Sequence, residues 1–120
     1  MTFWDSGNET YRVVSPREAF DLSRGADGVF LLDVRTREEY NNELGHVEHA
    51  VLIPVDELEP RLEELEPHKG KPIIAICRSG IRSGRAAGIL TRHGFSAMNM
   101  TGGMIRWNLE GLPVVRDKSL

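Results

Sequence analysis

The sequence predicts a single α/β domain in which helices cover both faces of a mostly parallel sheet. Its 120 residues are enough for one domain with a core of its own. The strongest apolar runs do not alternate with polar residues, which is typical of parallel strands buried on both faces. Helical signals lie between these runs, and strands that alternate with helices favour a parallel sheet.

The strand candidates are five short segments. Three are apolar runs at residues 29–34, 51–53 and 72–77, and two weaker candidates lie at residues 11–14 and 97–100. The run PIIAIC, residues 72–77, is the most apolar of them.

Capping residues predict where the first two helices begin. Ser15 and Glu18 form a capping-box pattern, and Gly25 lies just beyond the end of the predicted helix. Thr36 and Glu39 form a second capping box directly after a predicted strand. Three further helices are expected at residues 60–65, 83–93 and 104–109. The residues expected in the core on these elements are Phe20, Leu22, Leu90, Ile105 and Trp107.

The chain as a whole is interpreted as one domain over residues 1–120, with residues 1–9 forming a loosely ordered N-terminal extension in which Trp4 has no assigned role. A single cysteine cannot form an internal disulfide, so a secreted disulfide scaffold is excluded. The first ten residues lack a signal-peptide pattern, and no apolar stretch approaches the roughly 20 residues of a membrane span. The sequence therefore predicts a cytoplasmic protein that binds no membrane.

Charge is distributed unevenly along the chain. Residues 1–66 carry sixteen acidic side chains and six basic ones, whereas residues 67–109 carry seven basic side chains and no acidic one. A basic segment can bind an anionic substrate or nucleic acid, or can pair with the acidic half after folding. Nucleic acid is disfavoured because this segment has only two aromatic residues and no run of basic ones.

Cys77, the only cysteine, ends the most apolar predicted strand and precedes a predicted helix. Ligands of open parallel sheets bind at this carboxyl edge. Positive charge on Arg78 and Arg82, the N-terminus of the following helix and a tight turn at Gly80 would all favour the reactive thiolate. These features predict a catalytic cysteine, against the alternative of a buried structural thiol.

Other kinds of site receive little support from the sequence. The four histidines are His46, His49, His68 and His93. All of them are distant from Cys77 in the chain, so no general base is indicated, and a papain-like pair is left open. The spacing of Cys and His matches no metal site, and GIRSG lacks the ending of a phosphate-binding P-loop.

The segment CRSGIRS, residues 77–83 (the Cys77 loop), resembles the active-site loop of the rhodanese family, single-domain thiosulfate sulfurtransferases. Further segments similar to family motifs follow in the family's order at residues 14–19, 32–40, 45–54 and 102–114. The resemblance implies a rhodanese-like three-layer sandwich with a central, mostly parallel sheet of about five strands. One departure is Glu48-His49, where the family often has Pro-Gly; these two residues could lie at the rim of the active site.

The resemblance also implies a reaction. Cys77 would take a sulfane sulfur from thiosulfate or a similar anionic donor as a persulfide, and would pass it to a thiol or to a sulfur-accepting protein. No cofactor, metal or nucleic acid is implied, and the protein is expected to be a monomer or homodimer. The alternative is a persulfide carrier or regulatory interaction module of a sulfur-relay pathway that does not turn over small acceptors.

Loop length and composition refine this reading. With Cys77 as the first residue, Arg82 is the sixth, whereas related phosphatases and arsenate reductases have a loop that is one residue longer. The shorter loop suits a sulfur atom, so phosphatase or arsenate reductase activity is disfavoured. Mercaptopyruvate sulfurtransferases favour a different residue after the cysteine, so Arg78 favours thiosulfate.

Each loop residue has an expected role. Arg78 and Arg82 would bind the donor, and Ser79 would donate its hydroxyl to the persulfide or serve only in the turn. Ser83 is expected to cap the following helix. Gly80 and Ile81 complete the loop. Nearby, Asp33 and Arg35 are expected to form an internal ion pair that fixes the Thr36 turn with Glu39, and a supporting role behind the active site is the alternative. Arg85 and Arg92 are expected on the outer face of the helix.

Overall fold

The computed structural model describes residues 2–6, 9–25 and 28–116, and within them it forms a six-stranded sheet with helices on both faces. The strands are β1 Thr2–Ser6, β2 Glu9–Val14, β3 Phe30–Asp33, β4 Val51–Leu52, β5 Ile73–Ile76 and β6 Ala97–Met100. The α-helices are α1 Pro16–Ser23, α2 Arg37–Tyr40, α3 Ile81–Arg92 and α4 Gly103–Leu109, and the 3-10 helices are Val55–Glu57 and Glu59–His68.

The strand order is β1-β2-β6-β5-β3-β4, and all neighbours from β2 to β4 are parallel. β1 alone runs antiparallel to its neighbour, β2, in this described part of the sheet. The five parallel strands confirm the predicted α/β fold. They also bring the carboxyl ends of β3, β5 and β6 to one edge, where Cys77 follows β5.

The N-terminal segment contains a further strand. Thr2–Ser6 forms the edge strand β1, with Thr2 opposite Val13 and Ser6 opposite Glu9, a strand that the sequence analysis did not predict. An antiparallel partner satisfies the backbone groups that β2 would otherwise leave unpaired at the edge of the sheet. The segment has no apolar alternation strong enough to signal this pairing. The Trp4 side chain and residues 1, 7 and 8 lie outside what the structure describes.

The helix caps follow the sequence closely. Ser15 and Thr36 each accept a hydrogen bond from the backbone N–H three residues later, and each capping box is complete. The segment around residues 60–65 forms a ten-residue 3-10 helix instead of the expected short α-helix. No helix in the described residues is long and apolar enough to cross a membrane.

The central strand β5 divides the core into two halves. Ile73 and Ala75 pack on one face of the sheet with residues of α3, while Ile74 and Ile76 pack on the other face with residues of α4. All four are fully buried, and burial of an isoleucine side chain contributes roughly 1.5–3 kcal/mol. Cys77 belongs to the α3 side of the core.

Candidate active site

Cys77 lies between the end of β5 and the beginning of α3. It is 1% exposed, so its thiol forms the floor of the Cys77 loop. Gly80 is the N-cap of α3 and has φ 104°, a left-handed conformation that glycine adopts at little cost. The predicted helix therefore begins at Ile81, two residues earlier than the sequence indicated, and the sulfur lies at its N-terminus. The helix dipole favours negative charge there.

Two hydrogen bonds of 3.1 and 3.3 Å surround the sulfur. The backbone N–H of Gly80 donates to the Cys77 Sγ at 3.1 Å. The hydroxyl oxygen of Ser83 lies 3.3 Å from the same sulfur. The Ser83 hydroxyl group donates its proton to the side-chain oxygen of Asn99 at 2.6 Å. Ser83 is fully buried in the first turn of α3, so the prediction that it caps this helix is wrong. Glycine takes the cap position because the turn requires a positive φ.

The N-terminus of α4 holds the loop from the other side. The N–H groups of Met104 and Ile105 donate to the carbonyls of Cys77 and Arg78 at 2.9 and 3.1 Å. Gly103 permits this approach, because a Cβ there would lie 2.3 Å from the Arg78 carbonyl oxygen. The Gly-Gly pair at 102–103 thus fits α4 against the Cys77 loop.

A buried ion pair lies behind the loop, at the end of β3. Arg35 Nη2 and Asp33 Oδ2 are 2.7 Å apart, and both side chains are fully buried. The Arg35 guanidinium also donates to the carbonyls of Glu39 and Gly45 at 3.1 and 2.8 Å. The ion pair that the sequence predicts is present, and its contacts fix the turn that leads into α2. The two carbonyls complete the hydrogen bonding that a buried charge requires.

Arg82 has a carboxylate partner that the sequence did not predict. Its Nη1 and Nη2 donate to Glu39 Oε1 and Oε2 at 2.7 and 2.8 Å. These hydrogen bonds lower the pKa of Glu39 from 4.5 to about 2. They also raise the pKa of Arg82, with smaller contributions from the charges of Cys77 and Asp33. Arg82 is therefore close enough to act on the sulfur electrostatically. The two N–H groups with which its guanidinium could bind an anion at two points donate to Glu39 instead.

The outer rim of the loop is exposed. Arg78 and Ser79 face solvent, and Ile81 is 81% exposed. The Arg78 guanidinium pairs with no carboxylate among residues 11–25 and 28–116, whose side chains the structure describes. Arg78 directly follows Cys77 in the chain, so an exposed guanidinium with no carboxylate partner in that part of the structure leaves a positive charge available to an incoming anion.

Two other arginines of the basic segment point away from the sulfur. Arg85 pairs with Asp56 at 3.2 Å, and Arg92 pairs with Glu59 at 3.7 Å. Both lie on the exposed face of α3, as predicted. Together with Arg82 they show that part of the charge asymmetry is balanced by pairing between the two halves of the chain.

Glu48 and His49 are both exposed and line a cavity away from the Cys77 loop. His49 has φ 71°, the left-handed conformation that glycine adopts easily. Both residues line a cavity of about 650 Å³ together with Phe20 and Trp107, and none of the described lining residues belongs to the Cys77 loop. The structure therefore does not support a position for these two residues at the rim of the active site.

Asn99 on β6 is a site residue that sequence reasoning missed. It is 7% exposed, and its side chain contacts both Ser83 and Gly80. The available signal was a single polar residue in an otherwise apolar strand, AMNM. A buried amide needs hydrogen-bond partners, and here those partners lie in the Cys77 loop.

Known proteins share this fold and sequence pattern. Residues 15–110 match the family model described as rhodanese-like domain. The uncharacterized protein YibN of Escherichia coli K12 is 32% identical over 98% of this chain and 82% of its own length. A protein named sulfurtransferase from Allochromatium vinosum is 33% identical over 74% of this chain and 80% of its own.

A solved structure from the same family has a similar fold. The crystal structure of a rhodanese-related protein from Thermoplasma volcanium superposes with a TM-score of 0.80 and 29% identity. The match covers 89% of this chain and all of that one, so the whole fold of that protein is found within this chain.

Proposed function

Because this chain belongs to the rhodanese-like family, we propose that it is a thiosulfate sulfurtransferase that carries sulfane sulfur on Cys77. Sulfur transfer in general is supported by the family and by the relative named sulfurtransferase. The observation that carries the proposal is the placement of the Cys77 sulfur, which accepts the Gly80 N–H at the N-terminus of α3. Thiosulfate as the donor is the finer part of the proposal.

The first half-reaction forms a persulfide. The Cys77 thiolate attacks the outer sulfur of thiosulfate, a new sulfur–sulfur bond forms, and the sulfur–sulfur bond of the donor breaks. The bonding electron pair leaves with sulfite, so the divalent donor becomes a divalent product and the enzyme retains one negative charge on the terminal sulfur. Sulfite is a stable leaving group, so this covalent step requires no strong general acid.

The second half-reaction returns the thiolate. A nucleophilic acceptor, either cyanide or a thiolate, attacks the terminal sulfur, and the electron pair of the Cys77 persulfide bond returns to Sγ. With cyanide the product is thiocyanate. A protein or small thiol is the acceptor class we propose for the cell.

The loop supplies attraction and charge stabilisation. Arg78, exposed and without a carboxylate partner among the described residues, attracts the anionic donor. The Gly80 N–H stabilises negative charge on the sulfur. Ser79 is exposed on the same rim and is available to the persulfide.

Phosphatase chemistry is disfavoured by the position of Arg82. A phosphatase loop needs its arginine to bind the phosphate oxygens through two parallel hydrogen bonds. In this chain the Arg82 guanidinium makes that type of interaction with Glu39. Sulfur transfer needs no such two-point contact.

Thiocyanate formation tests the proposal. The purified protein is expected to produce thiocyanate from thiosulfate and cyanide, and the Cys77→Ser variant is expected to produce none above background. Sulfur loading without turnover to cyanide or small thiols would favour the carrier alternative. Equal production by the two proteins would overturn the assignment of Cys77.

A further inference from the structure

Asn99 links the two groups that contact the Cys77 sulfur. Its side-chain nitrogen donates to the Gly80 carbonyl at 3.1 Å, and its side-chain oxygen accepts the Ser83 hydroxyl at 2.6 Å. Gly80 and Ser83 in turn lie 3.1 and 3.3 Å from Sγ. We propose that Asn99 is a positioning residue that holds both groups against the sulfur, an inference that rests on the proposed role of Cys77.

Hydrogen-bond chemistry fixes the direction of each contact. A carbonyl oxygen only accepts, so the Gly80 carbonyl must face the Asn99 nitrogen. The Asn99 oxygen then faces Ser83 and also only accepts, so the Ser83 hydroxyl donates its single proton to Asn99. A lone pair of the hydroxyl is left toward Cys77, where it accepts the S–H of the neutral thiol.

The same arrangement serves the charged sulfur with a small change. When Cys77 carries a negative charge, rotation about the Ser83 Cβ–Oγ bond turns the hydroxyl proton toward the sulfur, and the hydrogen bond from Ser83 to the Asn99 oxygen is then lost. The Asn99 nitrogen keeps its bond to the Gly80 carbonyl throughout, so the Gly80 N–H remains directed at the sulfur. Asn99 thus supports the loop in both protonation states.

A glycine in α3 leaves room for the Asn99 amide. Gly84, in the first half of α3, packs against the amide: a Cβ on it would lie 3.2 Å from Asn99 Nδ2 and 3.0 Å from the Tyr11 hydroxyl. Glycine is a poor helix former, so its presence in α3 is explained by the space that the amide occupies. On β6 the neighbours of Asn99, Met98 and Met100, are apolar and buried.

Replacement of Asn99 by leucine tests the inference. Leucine is branched at the same carbon atom as asparagine, is somewhat larger, and makes no hydrogen bonds through its side chain. The rate of persulfide formation at saturating thiosulfate is expected to fall about tenfold, a change of roughly 1.4 kcal/mol in the barrier. The KM for thiosulfate is expected to stay within about twofold, because Arg78 is unchanged.

Asn108→Leu is the matched control. Asn108, like Asn99, makes two hydrogen bonds through its side chain, here to the carbonyls of Leu44 and Met104, but neither partner contacts the sulfur through a side chain or backbone N–H. We expect it to lower the melting temperature without slowing sulfur loading. Equal loading rates in Asn99→Leu and wild type would overturn the inference. A decrease in loading rate in both variants that follows the decrease in their melting temperatures would also overturn it.

Two further measurements test the inference, and the first of them does not require Asn99→Leu to fold. Gly84→Ala retains every other side chain of the site and adds a Cβ 3.2 Å from Asn99 Nδ2 and 3.0 Å from the Tyr11 hydroxyl. If the amide shifts to make room, as the inference requires, the variant should load sulfur more slowly while keeping the fold. Adding Asn99→Leu to Ser83→Ala should cost less than it does in wild type, because the two residues share one hydrogen bond. Independent effects would count against the role we assign.

Alkylation by iodoacetamide separates this inference from the proposed function. If wild type accepts no sulfur from any donor, the proposed function fails, but the reactivity of Cys77 can still be measured. A slower alkylation in Gly84→Ala and Asn99→Leu than in wild type and Asn108→Leu supports positioning by Asn99. Equal alkylation rates in all four proteins overturn it.

Discussion

The guanidinium of Arg82 binds both carboxylate oxygens of Glu39, at 2.7 and 2.8 Å, although the two residues are 43 positions apart in the chain. This pair joins the Cys77 loop to α2. It also removes part of the positive charge that would otherwise face an anionic donor. Glu39 therefore adjusts the electrostatics of the site without contacting the sulfur.

Replacing Glu39 by glutamine should strengthen donor binding. Glutamine keeps an oxygen that can accept the Thr36 N–H of the capping box, but it releases the charge of Arg82. The KM for thiosulfate is expected to fall about threefold, the effect of a modest change in a partly screened charge. Steady-state kinetics at low ionic strength measure it.

Glu57→Gln is the control for that experiment. Glu57 pairs with Arg37 and Arg61, away from the Cys77 loop. Its substitution should leave the KM unchanged. An equal decrease in both variants would mean that net charge, and not the release of Arg82, is responsible.

The same ion pair predicts a loss of stability in acid. The pKa of Glu39 is lowered from 4.5 to about 2, because the Arg82 hydrogen bonds favour the carboxylate in the folded protein. Its contribution, at most about 1 kcal/mol for a partly exposed pair, is complete above the unfolded pKa and disappears as the pH falls from about 5 toward 2. Urea unfolding at several pH values should show wild type losing more stability across this window than Glu39→Gln. Parallel pH profiles would contradict the assignment.

Gly103→Ala should disrupt the Cys77 loop. Gly103 has φ 57°, and a Cβ would lie 2.3 Å from the Arg78 carbonyl oxygen, so the backbone must move. We expect a loss of about 2–3 kcal/mol in the free energy of unfolding and a severe loss of sulfur loading. Gly111→Ala is the matched control, since it has φ 72° but open space around it. It should cost about 1 kcal/mol and leave loading intact, and equal effects of the two substitutions would rule out the steric explanation.

His49→Gly should stabilise the protein. Its φ of 71° is strained for a residue with a Cβ, and relief of about 1–2 kcal/mol is partly offset by the greater entropy of glycine in the unfolded chain. A net gain of about 0.5–1 kcal/mol is expected from chemical denaturation, with no change in sulfur loading. Glu48→Gly, at a neighbouring position without positive φ, should destabilise. A loss of stability in both variants would show that the His49 side chain contributes more than its backbone costs.

Much of the fold follows from local sequence signals. The apolar runs identified β3 and β5, and the capping boxes placed α1 and α2, because these features depend on residues close together in the chain. β1 was missed because its pairing with β2 depends on the edge of the sheet and not on an apolar pattern. Ile105 was expected in the core but is 37% exposed, since the start of α4 packs through its backbone against the loop.

The site was predictable in part. The position of Cys77 at the end of a buried strand follows from the sequence, as does the turn at Gly80. The partner of Arg82 and the contacts of Asn99 do not, because both depend on how distant segments meet in the folded sheet. Ser83 was assigned to the wrong role for a related reason: the helix began earlier than its capping pattern indicated.

Intact-protein mass after exposure to thiosulfate tests the central claim most directly. We predict that wild type gains the mass of one sulfur atom, loses it again on addition of cyanide, and that Cys77→Ser gains none. The absence of a gain with thiosulfate, mercaptopyruvate and glutathione persulfide, or a gain retained in Cys77→Ser, would contradict the account.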